Sequence, residues 1–421
     1  MDKIIVQGGK KLSGEVNIST AKNSVLPIIA GAILANDTVF INKLPMLDDV
    51  FTICNVIKEL GFDLCIDKKE ERLILPPLSR EPLIPNEDLV KKMRASFLIM
   101  GPVIAKYGEF KLARPGGCNI GTRPIDLHLK GLKALGASID NCGNGFVCVK
   151  AKKLVGSRIY LDFPSVGATE NIVMAATLAK GTTVLENSAQ EPEIIDLINF
   201  LNLMGAKIYI EKKGEIIIDG VDSLGSVSYT PINDRIEAGT FMVAAAITGS
   251  EIKINGVNSD HCSAIISKLK EAGAQFRHVE GEDESVIVKG NKGINPIILK
   301  TLPHPGYPTD MQSQMMSLLS IANGSSIITE SVFENRFMNV HELIRMGANI
   351  RVDGRSAFIE GVKKLTGCEV RATDLRAGAA LILAGLIAEG ETIITDIYHI
   401  DRGYVEIENK FRNLGANIWR E

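Results

Sequence analysis

The chain has 421 residues, 45% of them hydrophobic, 23% charged and only 5% aromatic, and a net charge of −3. That length predicts two domains, and the composition describes a globular protein with a core of small aliphatic side chains. A slightly negative chain is not a general nucleic-acid binder, so an anionic ligand would need a local gathering of cations.

The N-terminal stretch from Met1 to Val16 has no long apolar run, and no secretory leader is expected. The longest apolar stretches, such as Ala377 to Ala388, fall short of the roughly 20 residues of a membrane span and read as helices buried on all sides. Cys54, Cys65, Cys118, Cys142, Cys148, Cys262 and Cys368 include no C-x-x-C pair, and most lie in apolar company. The expectation is a reducing cytoplasm, with no disulfide framework and no zinc site.

One unit recurs six times. A helix ends on Leu-Gly-Ala or a variant at Gly61, Gly136, Gly205, Gly273, Gly347 and Gly415, a repeat of roughly 70 residues. Each glycine stands where a helix C-cap needs positive φ, and a strand opens after it. Before each comes a small-residue apolar helix, a turn and a short strand. These helices should begin near Ser19-Thr20, Met93, Val166, Asp234, Thr309 and Thr373. Six units form two groups of three, with the boundary near Thr230 to Asn233. The last unit has one strand after its final helix, and the N-terminal strand could complete it. Residues 22–232 are therefore expected to form one domain, and residues 1–21 with 233–421 the other.

The second unit is stretched. From Gly108 to Gly136 it is longer than its five counterparts, and the surplus falls in Arg114-Pro-Gly-Gly-Cys118-Asn-Ile-Gly-Thr-Arg123-Pro124. Glycines and prolines make this a loop. Its one cysteine lies between two arginines, and nearby cations favour the reactive thiolate. Four of the apolar helices also carry a cation in the first turn: Lys22, Arg94, Arg235 and Arg376. Such a charge opposes the helix dipole. Arg235 could pair with Asp234 or Glu237, and Arg376 with Asp374. Lys22 and Arg94 have no carboxylate within four residues, and with free helix N–H groups they suit phosphate or carboxylate. Arg123 and Arg402 add to this charge.

The chain resembles the enolpyruvyl transferase family over essentially its whole length. The resemblance rests on TAKNS (20–24), MRAS (93–96), RPGGCNIGTRPIDLH (114–128), DFPSVGATEN (162–171), YPTDMQ (307–312), ENRFMN (334–339), ATDLRA (372–377) and IYHIDRGY (397–404). It implies a two-domain inside-out α/β barrel built from six βαβαββ-type repeats, three per domain. The implied reaction moves the enolpyruvyl group of phosphoenolpyruvate to the 3-hydroxyl of UDP-N-acetylglucosamine with release of phosphate, the first committed step of peptidoglycan synthesis. Lys22, Arg123 and Arg402 match the cations for phosphoenolpyruvate, and Asn23 a residue near the reacting hydroxyl. Cys118 matches the acid at the methylene carbon, which forms a covalent adduct and is alkylated by fosfomycin. Asp310 matches the carboxylate that takes the hydroxyl proton.

Pro124, Asp126, Leu127, Ser165, Val166, Gly167, Thr309 and Val332 match positions around uridine, diphosphate or sugar, and Arg94 and Arg376 join the binding set. Phe163 stands where some members carry lysine, which leaves the diphosphate to Arg94 or Arg123. The expected partners are the two substrates, with no cofactor, no metal, no nucleic acid and no membrane, and the chain is expected to act as a monomer. Other readings stay open: Asp310 as an ordinary N-cap, His128 as an exposed helix residue, and Met315 and Met316 as core filler. A different acceptor, shikimate 3-phosphate, and a sugar-nucleotide sensor with little turnover are the rival functions.

Overall fold

The computed structural model describes residues 2–114, 125–143, 145–279 and 281–421. The chain divides into two compact units, one made of the described residues between Thr20 and Ile232 and the other combining the residues up to Ser19 with Asn233–Glu421. Each is an α/β unit turned inside out, with apolar helices at its centre and three small sheets around them.

In the Thr20–Ile232 unit the central helices are Lys22–Gly31, Met100–Tyr107 (entered through the 3-10 turn Arg94–Ile99) and Val166–Ala176. In the other unit they are Arg235–Thr248, Gln312–Leu319 and Leu375–Ile387. Leu375–Ile387 is buried around its whole circumference from Arg376 to Leu386, which explains why its apolar residues follow no one-sided stripe. Met315 and Met316 are fully buried, as core filler should be. Capping follows the sequence. Asp234 accepts from Ile236 N and Glu237 N, and Gly249 closes that helix at φ 60.

The six repeat glycines end their helices with φ between 93 and 108, a region that favours glycine. Around the helices lie six sheets, five of four strands and one of three. The alternation expected of half-buried strands is plain in Glu391–Thr395, where Thr392 and Ile394 face inward. The sixth sheet holds the N-terminal strand Ile4–Gln7 between Glu391–Thr395 and Asn417–Arg420, antiparallel to both. A second N-terminal strand, Glu15–Asn17, runs parallel to Lys253–Asn255 at the edge of the fourth sheet. In the other unit Val227–Tyr229, the last strand before the boundary, closes the first sheet beside Val39–Ile41.

Candidate active site

Thr309, Asp310 and Met311 form a 3-10 turn that leads into Gln312–Leu319. Asp310 is not the N-cap that its position allowed: Pro308 and Met311 stand at the cap positions, and neither makes a side-chain cap bond. Its carboxylate lies instead between two guanidinium groups. Arg336 Nη2 donates to Oδ1 at 2.7 Å, and Arg376 donates to Oδ2 from Nη2 at 3.1 Å and from Nε at 3.3 Å. The arginine side chains are 3% and 2% exposed, whereas the Asp310 side chain is 25% exposed. Removing two guanidinium groups from water costs several kcal/mol unless they are paired. The shared carboxylate provides that pairing while remaining partly exposed.

Arg376 also departs from expectation. Asp374 is occupied as the cap of Leu375–Ile387, accepting from Arg376 N and Ala377 N, so the guanidinium turns to Asp310 rather than to Asp374. It lies over the ring of Tyr404, its Cζ 5.2 Å from the centroid. Glu237, one candidate partner for Arg235, bonds Lys410 Nζ at 2.6 Å and Ser19 N at 2.7 Å.

Thr309 and Val332 are joined by a residue that sequence reasoning missed. Glu330, 1% exposed, accepts from Thr301 Oγ1 at 2.7 Å, Thr309 Oγ1 at 2.8 Å, Val332 N at 2.8 Å and Phe333 N at 3.1 Å. Arg402 follows the short helix Tyr398–Asp401 and is half-buried. Burial, together with the Arg402 charge, holds the His399 imidazole below its ordinary value.

In the Thr20–Ile232 unit, Lys22 opens its helix, and its Nζ lies 3.4 Å from Asp49 Oδ2. Its carboxylate partner is thus supplied by the helix Asp48–Glu59, beyond the local window in which none was found. Asn23 is half-buried one residue later. Arg94 opens the 3-10 turn Arg94–Ile99. Ser165 caps Val166–Ala176 by accepting from Ala168 N at 3.4 Å, which places Val166 and Gly167 in the first turn. Asp126 and Leu127 begin the helix Asp126–Ala134, the first exposed and the second half-buried. Phe163 is 44% exposed. Cys118, Arg123 and Pro124 lie outside the described residues.

His128 is not an exposed helix residue; it is 8% exposed and packs edge-on against Phe97. Asn171 fixes its tautomer. The Asn171 Oδ1 accepts from Gly101 N, so its Nδ2 donates to Phe97 O at 3.0 Å and to His128 Nδ1 at 3.0 Å. The proton of the neutral ring is then on Nε2. A Cβ at Gly167 would stand 3.2 Å from His128 Cε1 and 3.4 Å from Nε2, so this ring edge faces the first turn that carries Gly167. Burial, with the Arg94 charge, pushes the imidazole down to about 3.

Cys142 and Cys148 form a disulfide with Cα atoms 6.0 Å apart, contrary to the expectation of a chain without disulfides. The paired strands Ser138–Asn141 and Phe146–Lys150 bring these cysteines together, a proximity that their apolar neighbours in sequence did not convey. Among the described residues no group of three or more His, Cys, Asp or Glu is arranged to hold a metal ion. No helix among them is long and apolar enough to cross a membrane.

Comparison with known proteins agrees on one family. The chain is 81% identical over 420 residues to UDP-N-acetylglucosamine 1-carboxyvinyltransferase 1 of Clostridium perfringens, with 100% of both chains covered. It is 56% identical over 419 residues to the protein of that name in Caldanaerobacter subterraneus subsp. tengcongensis, covering 100% of this chain and 99% of the other. An enolpyruvyl transferase from Streptomyces tendae has the same fold, with a TM-score of 0.90 at 24% identity, covering 100% of this chain and 98% of that one. EPSP synthase from Acinetobacter baumannii superposes with a TM-score of 0.76 at 18% identity over 100% of both chains. The family model described as EPSP synthase (3-phosphoshikimate 1-carboxyvinyltransferase) matches residues 6–411. The chain belongs to this family, the enolpyruvyl transferases.

Proposed function

We propose that this chain transfers the enolpyruvyl group of phosphoenolpyruvate to the 3-hydroxyl of UDP-N-acetylglucosamine and releases phosphate, the first committed step of peptidoglycan synthesis. The observation that carries this reading is 81% identity along the whole chain to a relative named for that transfer. The arrangement around Asp310 supports it. A partly exposed carboxylate fixed by two buried arginines suits removal of a proton from an acceptor hydroxyl.

In the proposed reaction the hydroxyl oxygen bonds to the central carbon of phosphoenolpyruvate while the methylene carbon gains a proton. The resulting phospholactoyl adduct then loses a proton and phosphate to give the enol ether. Asp310 takes the hydroxyl proton, and Cys118 serves as acid at the methylene carbon. Lys22, Arg123 and Arg402 neutralise the phosphate and carboxylate, and Asn23 orients the hydroxyl. Arg94, Pro124, Asp126, Leu127, Ser165, Val166, Gly167, Thr309, Val332 and Arg376 complete the binding set. The setting proposed is the cytoplasm, with the product serving cell-wall growth and hence cell shape and division.

Phosphate release from phosphoenolpyruvate is the test. Release that depends on UDP-N-acetylglucosamine is expected; release with shikimate 3-phosphate in its place would assign another acceptor, and none with either would leave a binding protein. Fosfomycin should alkylate Cys118 and no other cysteine, read by peptide mapping. Cys54 is a poor competitor because burial pushes its thiol up to about 12. A drug adduct at exposed Cys65 instead would overturn the assignment.

A further inference from the structure

Tyr404 occupies a place that neither the repeat nor the proposed chemistry explains. It lies two residues after Arg402, in the turn that follows Tyr398–Asp401, and is 2% exposed. Its hydroxyl lies 2.9 Å from Thr240 Oγ1 and receives a hydrogen bond from Gln314 Nε2 at 3.3 Å. Thr240 belongs to Arg235–Thr248 and Gln314 to Gln312–Leu319, so the phenol is fixed by two of the three central helices of its unit. The third helix supplies Arg376, whose guanidinium lies 5.2 Å from the Tyr404 ring centroid and bonds both Nη2 and Nε to Asp310 Oδ2.

We propose that Tyr404 is a positioning residue: held by Thr240 and Gln314, its ring sets the plane of the Arg376 guanidinium and thereby the direction of the Asp310 carboxylate. This rests on the reading of Asp310 as the base for the acceptor hydroxyl. A guanidinium held over an aromatic ring loses freedom to rotate, and its two N–H bonds, which converge on Oδ2, pass that restraint to the carboxylate. Arg336 holds the other oxygen, Oδ1, so the angle of the group is set only when Arg376 is held as well. A base displaced by about 1 Å can lose on the order of 100-fold in rate, which makes the restraint worth a buried polar network.

Two variants separate the ring from its hydroxyl. Tyr404→Leu removes the face beneath Arg376. Tyr404→Phe keeps it, and Gln314 Nε2 still reaches Thr240 Oγ1 at 3.3 Å. For Tyr404→Leu, kcat is expected to fall roughly 10- to 100-fold, with the KM for phosphoenolpyruvate unchanged and the thermal midpoint near that of Tyr404→Phe. Tyr404→Phe should keep kcat within about threefold of the parent, a conservative rescue that a merely structural role would not give. A Tyr404→Leu protein that keeps its kcat, or loses phosphoenolpyruvate affinity instead, would overturn the proposal, the second outcome pointing to Arg402.

A measurement without turnover separates this idea from the functional reading. The Arg376 Nε–H signal in a spectrum of arginine-labelled protein, assigned through Arg376→Lys, should be sharp in the parent and Tyr404→Phe and broadened in Tyr404→Leu. An unchanged signal in Tyr404→Leu would sink the linkage whether or not the protein turns over.

Discussion

Neutralising Asp310 leaves Arg336 and Arg376 buried against an amide. Asp310→Asn is therefore expected to lose turnover by roughly 10²- to 10⁴-fold, the scale of a general base. It should also lose stability of about 2 kcal/mol, the scale of a hydrogen bond to a charged group. As a simple N-cap the change would be almost silent, because asparagine caps as well as aspartate. Steady-state rates and urea unfolding check both parts. His128 gives a second expectation, with a sign. Burial and Arg94 hold its imidazole down to about 3 in the fold, whereas the unfolded chain titrates near 6.5. The stability from keeping it neutral is complete above pH 6.5 and drains away as pH falls toward 3. His128→Gln, neutral throughout, should lose less stability than the parent between about pH 7 and pH 4. Parallel stability curves would refute this account of the ring.

At the scale of elements, the sequence spoke through local rules. Helix ends were legible because each depends on one glycine in a left-handed turn, and the six repeat glycines all adopt it. The starts at Val166 and Arg235 were legible because Ser165 and Asp234 cap them. The chemistry around these elements was less so. Asp310 meets Arg336 and Arg376 across separations of 26 and 66 residues, and no local pattern marks such a meeting. Separations of 29 and 21 residues from Thr301 and Thr309 hid Glu330, which joins them to Val332 and Phe333. The burial of His128 was not legible because its helix is polar in composition, and only the fold shows that Asn171 and Phe97 close over the ring. The disulfide between Cys142 and Cys148 escaped for a related reason, since a hairpin register decides which side chains meet.

For the whole molecule, the way the chain divides predicts how it can be cut. The unit from Thr20 to Ile232 contains every strand of its described sheets, so that fragment alone should give a cooperative thermal transition. Asn233–Glu421 alone lacks Ile4–Gln7 and Glu15–Asn17, and should not. Lys3 and Glu421 exchange two backbone hydrogen bonds, at 2.7 and 2.9 Å, so a short glycine linker after Glu421 could carry Met1–Ser19. That rearranged fragment should recover the transition, as calorimetry would show. A cooperative transition in unmodified Asn233–Glu421 would count against the two strands being needed.

Ile4–Gln7 lies inside the sixth sheet with partners on both sides, and those partners are made about 400 residues after it, as the last two strands among the described residues. Ile4, Ile5 and Val6 must therefore stay unpaired through the synthesis of most of the chain, while the unit ending at Ile232 can already fold as it emerges. A β-prone apolar triplet in that position invites pairing with another nascent chain. Lys3 before it and Lys10 and Lys11 after it supply the flanking charge that natural sequences place around such segments. A ribosome that stalls before Asn417 would hold an almost finished chain: one unit complete, the other still waiting for an edge strand beside Ile4–Gln7.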